Sequence, residues 1–243
     1  MSDDLIYAYS PRQTGTLIKR YKRFLADIEL SSGEVITAHC PNTGPMTGVC
    51  TPGSPVLVSY SDNPKRKHAY TWEAIEVNDT VPTWVGINTS LPNRVIKSAL
   101  EKQLLPDLAA RYETVRPEVR YGKDNKSRID FLLTGKEAEP IYLEVKNVTW
   151  AQHTNALFPD TVTTRGQKHL RELTALLPTA KPIMLYFINR GDCTHFGAGE
   201  TADPKYAELL AEAIAQGVEV LPYRFENTAD GIKFLGKAEF IDN

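Results

Sequence analysis

Two short β-rich runs carry charge where a core strand is usually apolar: Arg128-Ile129-Asp130-Phe131-Leu132-Leu133 and Ile141-Tyr142-Leu143-Glu144-Val145-Lys146. Residues 134–140 between them are polar and turn-forming, which predicts an antiparallel hairpin. Side chains alternate faces along a strand, so Glu144 and Lys146 emerge together with Val145 buried behind them. Asp130 on the partner strand can meet them there. Two carboxylates and an ammonium at such a place are costly unless a metal or a substrate uses them.

Metal-assisted phosphodiester hydrolysis suits this cluster. Asp130 and Glu144 would hold a hard divalent cation, Mg²⁺ or Mn²⁺, through oxygen. Lys146 would orient or activate water, or stabilise charge building on phosphorus. The order Asp…Glu-X-Lys resembles the PD-(D/E)XK nuclease superfamily signature, with Ile129 standing where its proline would be. A Glu-X-Lys on an exposed edge, joined by a salt bridge, is the competing reading.

The surroundings extend the resemblance. Arg116-Pro117-Glu118-Val119-Arg120-Tyr121-Gly122 precedes the hairpin, and Asn147-Val148-Thr149, Phe158-Pro159-Asp160 and Thr164-Arg165-Gly166-Gln167-Lys168-His169-Leu170-Arg171 follow it. Towards the N-terminus stand Arg20-Tyr21-Lys22-Arg23-Phe24, His39-Cys40-Pro41-Asn42-Thr43-Gly44, Asn63-Pro64-Lys65-Arg66-Lys67 and Val85-Gly86-Ile87-Asn88-Thr89. Tyr206-Ala207 and Gly217-Val218-Glu219-Val220-Leu221 complete the set. Together they resemble the sugar fermentation stimulation protein A family over nearly the whole chain. The resemblance implies a two-domain DNA-binding protein. Its fold would be β followed by α/β: an N-terminal OB-type β-barrel over residues 1–82, then a PD-(D/E)XK nuclease-like α/β domain with a mixed central sheet over 83–243.

The residues read independently give the same division. Runs at 14–19, 23–30, 35–39, 55–61 and 70–77 are β-rich and separated by Gly, Pro, Asn and Ser, as in a small Greek-key barrel. Residues 78–82 read as the seam. Beyond it come helices near 94–102, 164–177 and 206–215, with strands near 119–121, 183–189 and 218–225 beside the hairpin.

Net charge is −2, but residues 191–243 hold 4 Lys and Arg against 10 Asp and Glu, leaving 24 against 20 in residues 1–190. Any affinity for nucleic acid is therefore local and salt-sensitive. Arg20, Lys22 and Arg23, and then Lys65, Arg66 and Lys67, mix cations with aromatics as single-strand grooves do. Phe24 and Trp72 read as barrel core. Arg165 and Lys168 on the helix after the hairpin form either a phosphate-binding edge or a solvated face. His169 reads as a surface histidine.

Glu118 can reach a metal held by Asp130 and Glu144, or pair with a neighbouring arginine. Arg128 shares a face with Asp130 and can contact phosphate or hold the carboxylates. Three cysteines, with no C-X-X-C spacing, argue against a disulfide framework and a zinc ribbon. No apolar run spans a bilayer and residues 1–4 carry no basic-then-apolar signal, so a cytoplasmic protein with no membrane partner is expected. The partner is nucleic acid, DNA before RNA; a homo-oligomer stays open. Two functions remain: a divalent-metal nuclease, or a non-catalytic DNA-binding module affecting transcription of sugar-utilisation genes. A regulator acting through a protein partner at the basic N-terminal surface ranks behind both.

Overall fold

The structure is a computed structural model and describes residues 5–122 and 127–241. Residues 1–4, on which the leader reading rested, lie outside the described residues.

Strand β1 (Leu5–Ala8) comes first. Then β2 (Arg12–Tyr21), β3 (Leu25–Leu30), β4 (Val35–His39), β5 (Pro55–Tyr60) and β6 (Tyr70–Val77) run in the neighbour order β4-β3-β2-β5-β6. A parallel contact of β4 with β6, Ala38↔Tyr70 and His39↔Thr71, closes them into a five-stranded barrel. Leu17, Ile28, Val56, Trp72 and Ile75 fill its interior, each from an inward strand position. The five expected strands are all present. Strand β7 (Thr83–Gly86) then pairs antiparallel with β6. The turn-rich residues 78–82 are thus a hairpin connection within the barrel sheet, and the domain seam falls after Gly86.

The rest of the chain builds the second domain around a seven-stranded mixed sheet. Helix α1 (Leu91–Glu101) is followed by β8 (Thr114–Tyr121), β9 (Ser127–Thr134), β10 (Ile141–Val148), β11 (Ala151–Gln152) and β12 (Asn155–Phe158). Helix α2 (Thr164–Thr174), β13 (Lys181–Ile188), β14 (His195–Ala198), α3 (Pro204–Gln216), β15 (Glu219–Asn227), β16 (Gly231–Lys237) and β17 (Glu239–Phe240) complete it. The large sheet runs β1-β16-β15-β13-β10-β9-β8, with β10, β13 and β15 parallel. Strands β11, β12, β14 and β17 form a smaller sheet.

Each helix follows from its sequence. Leu91, Val95, Ile96, Ala99 and Leu100 give α1 one apolar face, which packs with Phe131, Leu143, Ile183 and Phe225 on one side of the sheet. Thr163 caps α2 by accepting from Gly166 N at 3.1 Å, and Asp203 caps α3 by accepting from Tyr206 N at 3.0 Å. Gly217, at φ 110°, ends α3 in a left-handed turn. Leu170, Leu173, Tyr206 and Leu210 press α2 and α3 against the opposite face of the sheet.

The two domains are locked by buried polar contacts. Gly86 N donates to Asn189 O at 3.0 Å. Arg190, 1 % exposed, reaches Asp79 and Asp192 at 2.7 Å each and the Thr149 carbonyl at 3.1 Å. A β-carbon on Gly86 would lie 2.3 Å from the Asn189 side-chain amide. Asn189 is fully buried and held by several hydrogen bonds, so it cannot move aside. Gly86→Ala is expected to cost about 1–3 kcal/mol through this overpacking, read as a lower urea midpoint. An unchanged midpoint would show the junction to be loose.

Candidate functional site

The expected hairpin forms, and its geometry changes at the charged residues. Strands β9 and β10 pair from Ile141↔Leu133 to Leu143↔Phe131, and there the ladder stops although both strands run on. The next pair in register would be Glu144 with Asp130. Instead the Val145 N–H donates to Asp130 Oδ2 at 2.8 Å. Beyond this point β10 keeps only its parallel partner β13, through Val148↔Ile188. From the first turn of α1, Asn93 donates to Asp130 Oδ1 at 2.7 Å.

Glu144 lies at the bottom of this split, 3 % exposed. Its Oε1 receives Lys146 Nζ at 2.7 Å and also contacts His169 Nδ1, which is 3.1 Å from the same Nζ. Arg165 Nε lies 3.4 Å from His169 Nε2, so the ring is held between that guanidinium and Glu144. His169 is therefore buried in the cluster, and the surface reading of it is corrected. The polar, basic composition of α2 hid this; the signal that could have found it is the spacing, since His169 lies four residues before Leu173, which packs in the core.

One oxygen is left over. Glu144 Oε2 is buried with no hydrogen-bond partner among the described residues, and so is the Tyr121 hydroxyl. A buried carboxylate oxygen without a donor is costly, and it fits a cation-binding position. Electrostatics agree. Burial, then the charge of Glu144, pushes Asp130 up to about 6 against the opposing pull of Val145 N–H, Lys146 and Asn93. Burial also works to raise Glu144, but Lys146 and His169 outweigh it and hold that carboxyl below its ordinary value. Burial, followed by Glu144, Glu172 and Asp130, raises the Tyr121 hydroxyl.

The remaining expected residues divide. Glu118 falls opposite Asp130 in the register of β8 with β9, at a positive φ of 56°, and it is exposed. It stands 3.6 Å from the equally exposed Arg128. No group of three or more His, Cys, Asp or Glu side chains is arranged as a metal site by itself among the described residues. Lys168 faces Ser127 and Glu172, at 3.1 and 3.5 Å, on the outer edge of α2.

In the barrel, Arg20 donates to the carbonyls of Arg23, Asn42 and Gly44 at 2.8–3.1 Å, and Arg23 to that of Thr43 at 2.9 Å. These two guanidinium groups shape the 42–44 loop. Lys22, Lys65, Arg66 and Lys67 are exposed, Arg66 also donating to Thr71 at 2.6 Å. The pairings Tyr21↔Leu25, Leu25↔His39, His39↔Thr71 and Tyr60↔Tyr70 bring these segments to one end of the barrel. Phe24, expected in the core, is 46 % exposed there, because it sits on the β2–β3 turn and not within a strand. Tyr60, in the same group of segments, is exposed as well, with its ring against Tyr70. Trp72 is fully buried, as read.

Comparison with known proteins decides the family. Residues 90–231 match the family described as "Sugar fermentation stimulation protein RE domain", and residues 18–87 match "SfsA N-terminal OB domain". The chain belongs to the sugar fermentation stimulation protein (SfsA) family. An SfsA homologue of Rippkaea orientalis is 67 % identical over 99 % of both chains, and one of Synechocystis is 62 % identical over 98 % of this chain and 99 % of that one. Among solved structures, Pyrococcus furiosus SfsA in complex with Ca²⁺ superposes with a TM-score of 0.85 at 25 % identity, covering 98 % of this chain and 99 % of that one. The OB barrel and mixed-sheet domain are thus the SfsA architecture. No helix among the described residues is long and apolar enough to cross a membrane.

Proposed function

We propose that this SfsA protein is a cytoplasmic, divalent-metal-dependent phosphodiesterase acting on nucleic acid, DNA first. The observation that carries the reading is the partnerless buried oxygen of Glu144, set beside a second carboxylate at the point where β9 and β10 part. Asp130 and Glu144 would hold Mg²⁺ or Mn²⁺. Glu118 would join them only by leaving Arg128. The Ca²⁺ named for the P. furiosus relative belongs to the same class of hard, oxygen-seeking ions. When bound, such an ion polarises a phosphate oxygen and makes water a better nucleophile at neutral pH.

The chain's own residues do the rest. His169 and Lys146 fix Glu144 in one orientation, and Asn93 with Val145 N–H does the same for Asp130. Lys146 Nζ, held between Glu144 and His169, offers its remaining donors to an attacking water or to charge on phosphorus. Arg165 stands at the rim to meet a phosphate. Exposed Lys22, Lys65, Arg66 and Lys67 with Phe24 and Tyr60 supply cations and stacking faces for the strand.

The test is cleavage of plasmid, linear duplex, single-stranded DNA and RNA with Mg²⁺, Mn²⁺ or EDTA. Asp130→Ala, Glu144→Ala and Lys146→Ala are expected to abolish metal-dependent cutting, by at least about a hundredfold for the electrostatic group alone, with binding retained. The basic, aromatic barrel end also favours a second reading, a non-catalytic DNA-binding module affecting transcription of sugar-utilisation genes. Salt-sensitive binding with no cutting under any metal would overturn the first reading in favour of the second.

A further inference from the structure

A second polar site lies where the domains meet. A cleft of about 110 Å³ is lined by Asn42 from the barrel, Thr89 just before α1, and Asn147, Thr149, Trp150 and Asp160 from the second domain. Asn147 follows Lys146 on β10 with its side chain on the opposite face of the strand from Glu144 and Lys146, and Asp160 stands three residues before the cap of α2. On the other side, Asn42 belongs to the loop that Arg20 and Arg23 clamp at the basic end of the barrel.

The cleft's amides are oriented by the fold. Tyr9 OH donates to Asn227 Oδ1 at 2.7 Å, Asn227 Nδ2 to Asn189 Oδ1 at 2.8 Å, and Asn189 Nδ2 to Asn147 Oδ1 at 2.9 Å. This relay is buried at Asn189 and Asn227. It leaves the Asn147 NH₂ group as the free end, with no protein acceptor among the described residues. Asn42 is set in the same way: its Oδ1 accepts from Gly44 N at 2.9 Å, and its NH₂ has no acceptor among the described residues. Asp160 lies against the backbone of Thr47 from the barrel, and burial raises its carboxyl above the ordinary value. Trp150, half-buried, packs over Gly199, where a β-carbon would stand 2.9 Å from the ring.

We propose that this cleft receives one nucleobase of the bound strand; this rests on the nucleic-acid reading above. Fixed amide donors, a carboxylate acceptor and an indole are the groups that read and stack a base turned out of its strand. The cleft is far smaller than the ~300–1,000 Å³ of a site for a whole small-molecule ligand, and it suits one planar ring. Because Asn42 and Asn147 come from different domains, the base would be gripped only with the barrel docked as seen.

The experiment uses the full chain in EDTA, so that nothing is cut. A short single-stranded DNA and an abasic strand of the same length are the two probes, read by polarisation and by tryptophan emission. The wild type is expected to bind the base-bearing strand more tightly and to lose emission on saturation, with Trp150→Phe removing that loss. Asn147→Ala is expected to weaken the base-bearing strand about threefold to tenfold, as for one hydrogen bond, and to leave the abasic strand unchanged. Its thermal midpoint is checked alongside, and Thr149→Val serves if it fails to fold. Equal binding of both strands, with no Trp150 signal, would overturn the base site alone. Failure of both strands to bind would overturn the nucleic-acid reading and the base site with it.

Discussion

Lys146→Met is expected to lower stability in EDTA at neutral pH by about 3–5 kcal/mol, the cost of stranding one partner of a buried ion pair. Glu144 and Lys146 have side-chain exposures of 4 % and 13 %, and the Lys146 ammonium is the nearest full positive charge to Glu144, at 2.7 Å. Without it, Glu144 keeps only its contact with His169, while Asp130 stays close and negative. The double variant Lys146→Met/Glu144→Gln is expected to recover most of the loss, since an uncharged pair needs no counter-ion. The pH response should invert as well. Glu144 titrates low in the wild type, so its stabilisation is present above the unfolded carboxyl range near 4.5 and fades on acidification. In the single variant burial prevails, and acid becomes favourable. Urea midpoints for the four members of the cycle decide it. A double variant no more stable than the single one would sink the argument.

Asp130→Asn is expected to stabilise the metal-free protein by about 3 kcal/mol at pH 7.5 and hardly at all at pH 4. In the unfolded chain this carboxyl titrates near 3.8, and in the folded protein it is pushed up to about 6. A raised carboxyl contributes fully below the unfolded value, and the contribution is lost as pH rises through the folded one. Roughly two pH units of displacement correspond to about 3 kcal/mol. Asparagine keeps an oxygen for Val145 N–H and removes the charge, and the Asn93 amide can turn to match it. Added Mg²⁺ or Mn²⁺ is expected to reverse the order by stabilising the wild type only. Thermal midpoints across the pH range, with and without metal, check both halves. A constant difference between the two proteins from pH 4 to 7.5 would contradict the burial argument.

The central hairpin was legible because its signals are local. Alternation placed Glu144 with Lys146, and the polar residues 134–140 marked the turn. Barrel strands were legible for the same reason. What escaped the sequence depends on distant partners. The split of β9 from β10 comes where the Asp130 side chain takes the Val145 N–H, and β10 runs on beyond it because β13, some forty residues later, pairs with it along its whole length. His169 looked like one more polar residue on a basic helix, and only the packing of Leu170 and Leu173 turns it inward. Asn93 was visible only as a helix start, and its bond to Asp130 spans two elements. Phe24 was misplaced because an aromatic on a turn and one in a strand have the same local neighbours in a β-rich stretch. The seam at 78–82 was drawn at turn residues, and a hairpin loop has the same composition as a linker.

Strand β1 gives the architecture a temporal dimension. Its partner is β16, with Tyr7 opposite Ile232, so the barrel is spliced between an early strand and the remainder of its own sheet. During synthesis the barrel strands leave the ribosome together and can fold at once, whereas β1 must wait, unpaired, for nearly all of the chain. The outer edge of the large sheet is closed by a strand that lies on the far side of the barrel in the chain from the rest of that sheet. Tyr9, immediately after that strand, heads the amide relay that ends at Asn147. Pairing of β1 with β16 and alignment of the inter-domain cleft are therefore tied together, since both need the C-terminal strands that hold Asn227 and Ile232.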